Sequence, residues 1–128
     1  MRVAISAVII KDKKLLLVKK RKTWILPGGK PEESETDLEC LRREIDEELS
    51  GTKLSNIKYY NSFKGRTPHK GDILRAKAYF ADIDGQLHLS SKEITDSQWV
   101  DDFLKYNLSN ITMKIVNSLK KDKYLNKA

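Results

Sequence analysis

Apolar residues in the first twenty positions fall into two runs, residues 2–10 (RVAISAVII) and 15–20 (LLLVKK), divided by the polar KDKK at 11–14. That pattern predicts a pair of strands joined by a turn. A short extended piece at 23–26 leads into Pro27-Gly28-Gly29, where proline disfavours helix in the residue before it and paired glycines permit close backbone approach. The period then changes. Leu38, Leu41, Ile45 and Leu49 recur at three- and four-residue spacings, which predicts a helix starting near Glu35 or Thr36, with Ser34 as its N-cap, and running to Leu49. Residues 57–63 and 73–83 read as strands, the second placing Leu74, Ala76, Ala78 and Phe80 on one face. Asp84-Gly85 signals a turn before a short strand at 86–89, and Trp99-Val100 is a further extended piece after the polar stretch 90–97. Ile111, Ile115, Val116 and Leu119 predict a closing helix capped by Ser109 or Asn110, with a charged tail from Lys120. With no repeat and no low-complexity linker, this order predicts a single domain over residues 1–128: an α/β fold with a mixed sheet and a helix packed on each side.

At 128 residues the chain is long enough for one proper core. It has no apolar run of membrane-spanning length and no cleavage-site pattern after its first strand, so the expectation is a soluble cytoplasmic protein with no membrane partner. One cysteine, Cys40, excludes an internal disulfide and fits a reducing compartment; lying mid-helix with no evident histidine partner, it reads as structural more than catalytic. The net charge of +7 has two readings. Lysine clusters at 11–14, 19–22 and 120–123 and the basic loop KGRTPHKG at 64–71 attract a polyanion, nucleotide or RNA, or they are a solvated surface of a lysine-rich chain.

Candidate chemistry concentrates on the first helix. At about 100° per residue, Glu44, Glu47 and Glu48 fall within an arc roughly 100° wide beside the apolar stripe. Like charges so spaced cost a helix a few tenths of a kcal/mol per pair, on the order of 0.2–0.5. A divalent cation reverses that sign, and the all-carboxylate set suits Mg2+, with Mn2+ as a substitute, better than zinc. The plain alternative is a solvated acidic face. His69 and His88 have no ligand spacing, and Trp24 and Trp99 read as core more than as stacking platforms.

The frame around the acids narrows the choice. Gly29, Glu35, Arg43, Glu44, Ile45, Glu47 and Glu48 stand at seven of the nine defined positions of the Nudix box, and the chain resembles the Nudix hydrolase superfamily, MutT-like members in particular. Ser50 and Gly51 depart from the glycine and aliphatic residue that end the motif, and Gly51 is expected to cap the helix one residue late. The resemblance implies an α/β/α sandwich and a Mg2+-dependent pyrophosphohydrolase cleaving a nucleoside diphosphate–X bond, such as a (d)NTP, oxidised purines included, to NMP and pyrophosphate. By position it implies Glu44, Glu47, Glu48 and the Gly28 carbonyl as metal ligands, Arg43 and Glu35 as residues that orient the carboxylates, and Glu93, six residues before Trp99, or one of the box glutamates as general base. Lys20 and Lys30 are placed to meet phosphates, or are plain solvent-facing lysines. Asn110 stands where MutT-type proteins read a purine, or is an N-cap. Pro68 and Tyr79 lie where some subfamilies carry a substrate marker. Alternatives are an RNA 5′-end or dinucleoside polyphosphate hydrolase and a non-catalytic nucleotide-sensing or protein-binding domain, in each case a monomer or homodimer.

Overall fold

A computed structural model describes residues 2–67 and 71–127; Pro68, His69 and the centre of the basic loop lie outside the described residues. Eight strands form two four-stranded sheets. In the first, β5 (Gly28–Gly29), β1 (Arg2–Val8), β7 (Ile73–Leu89) and β6 (Leu49–Arg66) lie in that order, with β1 parallel to β7 and the other pairs antiparallel. In the second, β3 (Lys14–Lys20) pairs with β2 (Ile10–Lys11), β4 (Thr23–Ile25) and β8 (Ile94–Val100). Helix α1 (Asp37–Glu48) covers one side and α2 (Asn110–Lys121) the other.

β3 shows why. A strand wetted on one face alternates apolar and polar residues, whereas one buried on both faces reads as a continuous apolar run. Leu15, Leu16, Leu17 and Val18 are all fully buried. Leu15 and Leu17 pack with Ile111, Ile115 and Leu119 of α2, while Leu16 and Val18 pack with Cys40, Leu41 and Ile45 of α1. The predicted mixed sheet with a helix on each side is therefore present, and Leu74, Ala76, Ala78 and Phe80 share the α2 face as their spacing required.

Several local expectations are corrected. The helix begins at Asp37 with Thr36, not Ser34, as N-cap; Thr36 and Glu39 form a reciprocal capping box, and Ser34 takes φ 66°, which cannot lead into a helix. Leu38 is 43% exposed, and the buried line runs instead through Cys40, Leu41, Ile45 and Glu48. Asp84-Gly85 does not break the chain: β6 and β7 form one long hairpin with register shifts in β6. Gly51, opposite that point, is a positive-φ strand residue, not a helix cap. A Cβ on Gly85 would meet the Gly51 carbonyl, so the two glycines let the strands approach where a turn was expected.

Candidate active site

Helix α1 is held at its C-terminal end by donors to its last carbonyls. The Leu49 N–H bonds the Ile45 carbonyl, the Thr52 hydroxyl the Leu49 carbonyl at 2.7 Å, and Ser90 takes two more: its hydroxyl donates to the Glu47 carbonyl at 2.5 Å and its N–H to that of Glu48 at 3.5 Å. A helix end otherwise leaves these acceptors without partners. These bonds hold the backbone from which the Glu47 and Glu48 side chains project. Ser90 opens the loop that carries Lys92 and Glu93.

Arg43 organises the carboxylates from one side. Its Nε and Nη2 donate to both Glu35 oxygens at 2.7 and 2.9 Å, Nη2 also reaches the Lys30 carbonyl at 2.9 Å, and Nη1 reaches Glu44 at 2.8 Å and Glu47 at 3.4 Å. Five donors in a rigid fork do what a lysine cannot. The guanidinium holds the Glu35 carboxyl at about 2, well below the ordinary range. Glu44 lies against the glycine strand, where a Cβ on Gly29 would overlap its carboxylate. Burial raises the Glu44 pKa above the ordinary value despite Arg43.

Glu48 is the buried member of the set at 8% exposure, and its Oε1 accepts the Gly28 N–H at 3.0 Å. Desolvation pushes its pKa up to about 8, against the pull of that N–H and with help from Glu44. The three glutamates do not converge on one point as their helical arc suggested. Arg43 draws Glu44 and Glu47 to one side while Gly28 holds Glu48, and among the described residues no group of three His, Cys, Asp or Glu is close enough to hold a metal. Mutual repulsion and the available donors account for the separation. In donor chemistry the set fits a hard cation: all oxygen, partly desolvated, and with two carboxyls whose charge burial opposes.

Beyond the glycine strand a cleft of about 870 Å3 opens between the two sheets and α2. Gly28, Gly29, Lys20, Lys30 and Glu93 all line it, so the structure brings these sequence-predicted residues to one opening. Glu93 is exposed and paired with Lys20 at 3.2 Å. Asn110 does not line the cleft and is not the cap of α2: Ser109 accepts the Thr112 N–H, while Asn110 Oδ1 accepts the Arg66 N–H at 3.1 Å and ties α2 to the end of β6. Tyr79 is also elsewhere, donating to Asp37 at 2.6 Å on the α1 side. Cys40 is buried under the glycine strand with its thiol pushed up to about 12 by desolvation, an inert packing residue. Arg66 of the basic loop also lines the cleft, with the α2 cap Ser109, and so do Arg2 and Ser6 of β1 and Thr112 of α2, which no local pattern in the sequence marks.

Fold and site together define a Nudix-type α/β/α domain. The NUDIX domain family profile matches residues 1–102. The MutT NUDIX hydrolase from Burkholderia pseudomallei superposes with a TM-score of 0.77 at 25% identity, over 91% of this chain and 95% of that one. A UDP-X diphosphatase gives 0.75 at 25% identity, over 94% of this chain and 63% of that one. The NUDIX domain of Shewanella oneidensis NrtR, solved with ADP ribose, gives 0.77 over 95% and 88%, at 18% identity a likeness of fold alone. No curated protein sequence matches. The chain belongs to the NUDIX domain family and is a Nudix hydrolase. No helix among the described residues is long and apolar enough to cross a membrane.

Proposed function

We propose that the protein is a Mg2+-dependent pyrophosphohydrolase of MutT type, hydrolysing a nucleoside triphosphate to NMP and pyrophosphate. The observation that carries this reading is the placement of two partly desolvated carboxyls, Glu44 and Glu48, against a glycine strand that forms one lip of a cation-lined cleft. Glu44, Glu47, Glu48 and the Gly28 carbonyl would hold the metal, which supplies neutralisation of phosphate charge and activation of the attacking water. Arg43, braced by Glu35, sets the direction of Glu44 and Glu47. Lys20 and Lys30 receive phosphate oxygens from either side of the glycine strand, and Glu93, held at the rim by Lys20, is a candidate to accept the proton of the attacking water. The protein works in the cytoplasm, where Cys40 stays reduced, as a monomer or homodimer.

A second reading, hydrolysis of an RNA 5′ end or a dinucleoside polyphosphate, draws on Arg2 and Arg66. Arg2, paired with Asp72 at 2.6 Å, lies four residues along β1 from Ser6, the partner of Gly28, about 13 Å at strand rise, so a guanidinium stands past the reach of one polyphosphate and would exchange Asp72 for a further phosphate. Replacing Glu47 or Glu48 by Gln tests the leading proposal: turnover of nucleoside triphosphates should fall by roughly 10²-fold or more with the circular dichroism spectrum unchanged. Undiminished turnover in both variants removes it.

A further inference from the structure

Resting on that pyrophosphohydrolase reading, we infer that the cleft selects its substrate by phosphate charge and is nearly indifferent to the base. The substrate class is nucleoside 5′-triphosphates of any base, with no preference for an oxidised purine.

Two parts of the cleft wall carry this. Its interior is aliphatic: Ala4 and Ala76 form the floor on neighbouring strands, and Leu26, Leu74, Ile111 and Ile115 the sides. Such a surface grips a planar ring by contact and desolvation, which every base offers, and it cannot register where donors and acceptors sit on the ring edge. Of the polar side chains lining the cleft, Ser6, Thr23 and Thr95 offer only single rotatable hydroxyls, which donate or accept alike, and Thr67, Ser109 and Thr112 are already engaged. Ser109 and Thr112 are buried and their hydroxyls bond each other at 2.8 Å, with Ser109 also receiving the Thr112 N–H. Asn110 spends its carbonyl oxygen on the Arg66 N–H. Trp24 is packed edge-on against Tyr106, with ring centroids 5.1 Å apart, and does not line the cleft.

The rim is the opposite. Lys20, Arg21 and Lys92 stand along the second sheet, with Lys30 and Arg66 along the first, against Glu93, the one carboxylate among the described residues that line the cleft. Magnitudes decide between the two parts. An aliphatic pocket separates ligands by shape about 10- to 200-fold, whereas a site built to hydrogen-bond a particular group rejects its absence by roughly 10⁴-fold. Each charge-assisted phosphate contact is worth on the order of tenfold to a hundredfold in affinity. Phosphate number therefore outweighs base identity.

The test is a comparison of kcat/KM with Mg2+ for ATP, GTP, CTP, UTP and 8-oxo-dGTP, together with ADP, and of dissociation constants for the α,β-methylene analogues of the four triphosphates. The expected result is that the five triphosphates agree within roughly tenfold while ADP falls by about 10²-fold or more. Lys30→Ala should raise KM by a similar factor for every base. A preference beyond roughly 10³-fold for one base, or for the oxidised purine over the rest, overturns the inference and leaves the hydrolase reading intact. If no nucleotide is hydrolysed, that reading fails, and the analogue affinities still decide the selectivity: near-equal values support it and a strong base preference overturns it.

Discussion

The two helices are of equal length and lie on opposite sides of the sheets, yet they contribute to the site in opposite ways. Helix α1 brings nearly all of its chemistry in one stretch: Glu44, Glu47 and Glu48 with Arg43 beside the first two, braced by Glu35 from just before the helix. Helix α2 brings Ile111, Thr112 and Ile115 to a cleft whose other described residues come from β1, β7, the end of β6 and the stretches 20–30 and 92–95, with Ser109. Reactive groups must be placed to fractions of an ångström, and a single helical turn does that cheaply. Recognition of a nucleotide needs breadth, and breadth is assembled by tertiary packing.

Against the glutamate variants described above, the next largest effect should come from breaking the brace of α1. Arg43→Lys loses the two-toothed contact with Glu35 and cannot span Glu44, Glu47 and the Lys30 carbonyl at once; turnover should fall by roughly 10- to 100-fold in steady-state assays, with nucleotide KM little changed. An unaltered kcat would mean that the carboxylates hold their directions without the guanidinium. A smaller effect follows at the helix end. Ser90→Ala leaves the Glu47 carbonyl without its hydroxyl partner, at a cost of about 1 kcal/mol in stability, and loosens the tie between α1 and the Glu93 loop. Turnover should drop less than about tenfold, and Ser90→Thr should restore it.

The same contrast explains how much could be read in advance. The acid set on α1 was visible because helix periodicity converts spacing into direction, and the apolar LLLV run marked a strand. The start of α1 was misplaced although the capping box, Thr36 with Glu39, stood in the sequence beside Ser34. Leu38 counted as core by spacing alone. Burial is set by what lies opposite, and the glycine strand lies over the line of Cys40, Glu44 and Glu48, so the buried face is turned toward the acids. Asp84-Gly85 looked like a turn because glycine there serves strand approach, which local rules cannot distinguish. Arg2, Ser6 and Thr112 gave no signal, since residues meeting across β1, β6 and α2 carry no shared period.

The account depends on the burial of Glu44 and Glu48 being offset by a bound divalent cation, and thermal unfolding against pH tests this without a substrate. Glu48 titrates near 8 in the folded chain against 4.5 as an ordinary glutamate, so in chelator its contribution to stability is present below pH 4.5 and is lost as pH rises through 8. Glu35 runs the other way, but only between about pH 4.5 and 2, outside that window. The wild type in chelator should therefore lose stability between pH 5 and 8, by on the order of a few kcal/mol at most, and Glu48→Gln should flatten that slope. Added Mg2+ or Mn2+ should raise the melting temperature of the wild type at pH 8, much less at pH 5, and little in Glu48→Gln. A melting temperature indifferent to the metal at pH 8, or raised equally in wild type and Glu48→Gln, would contradict it.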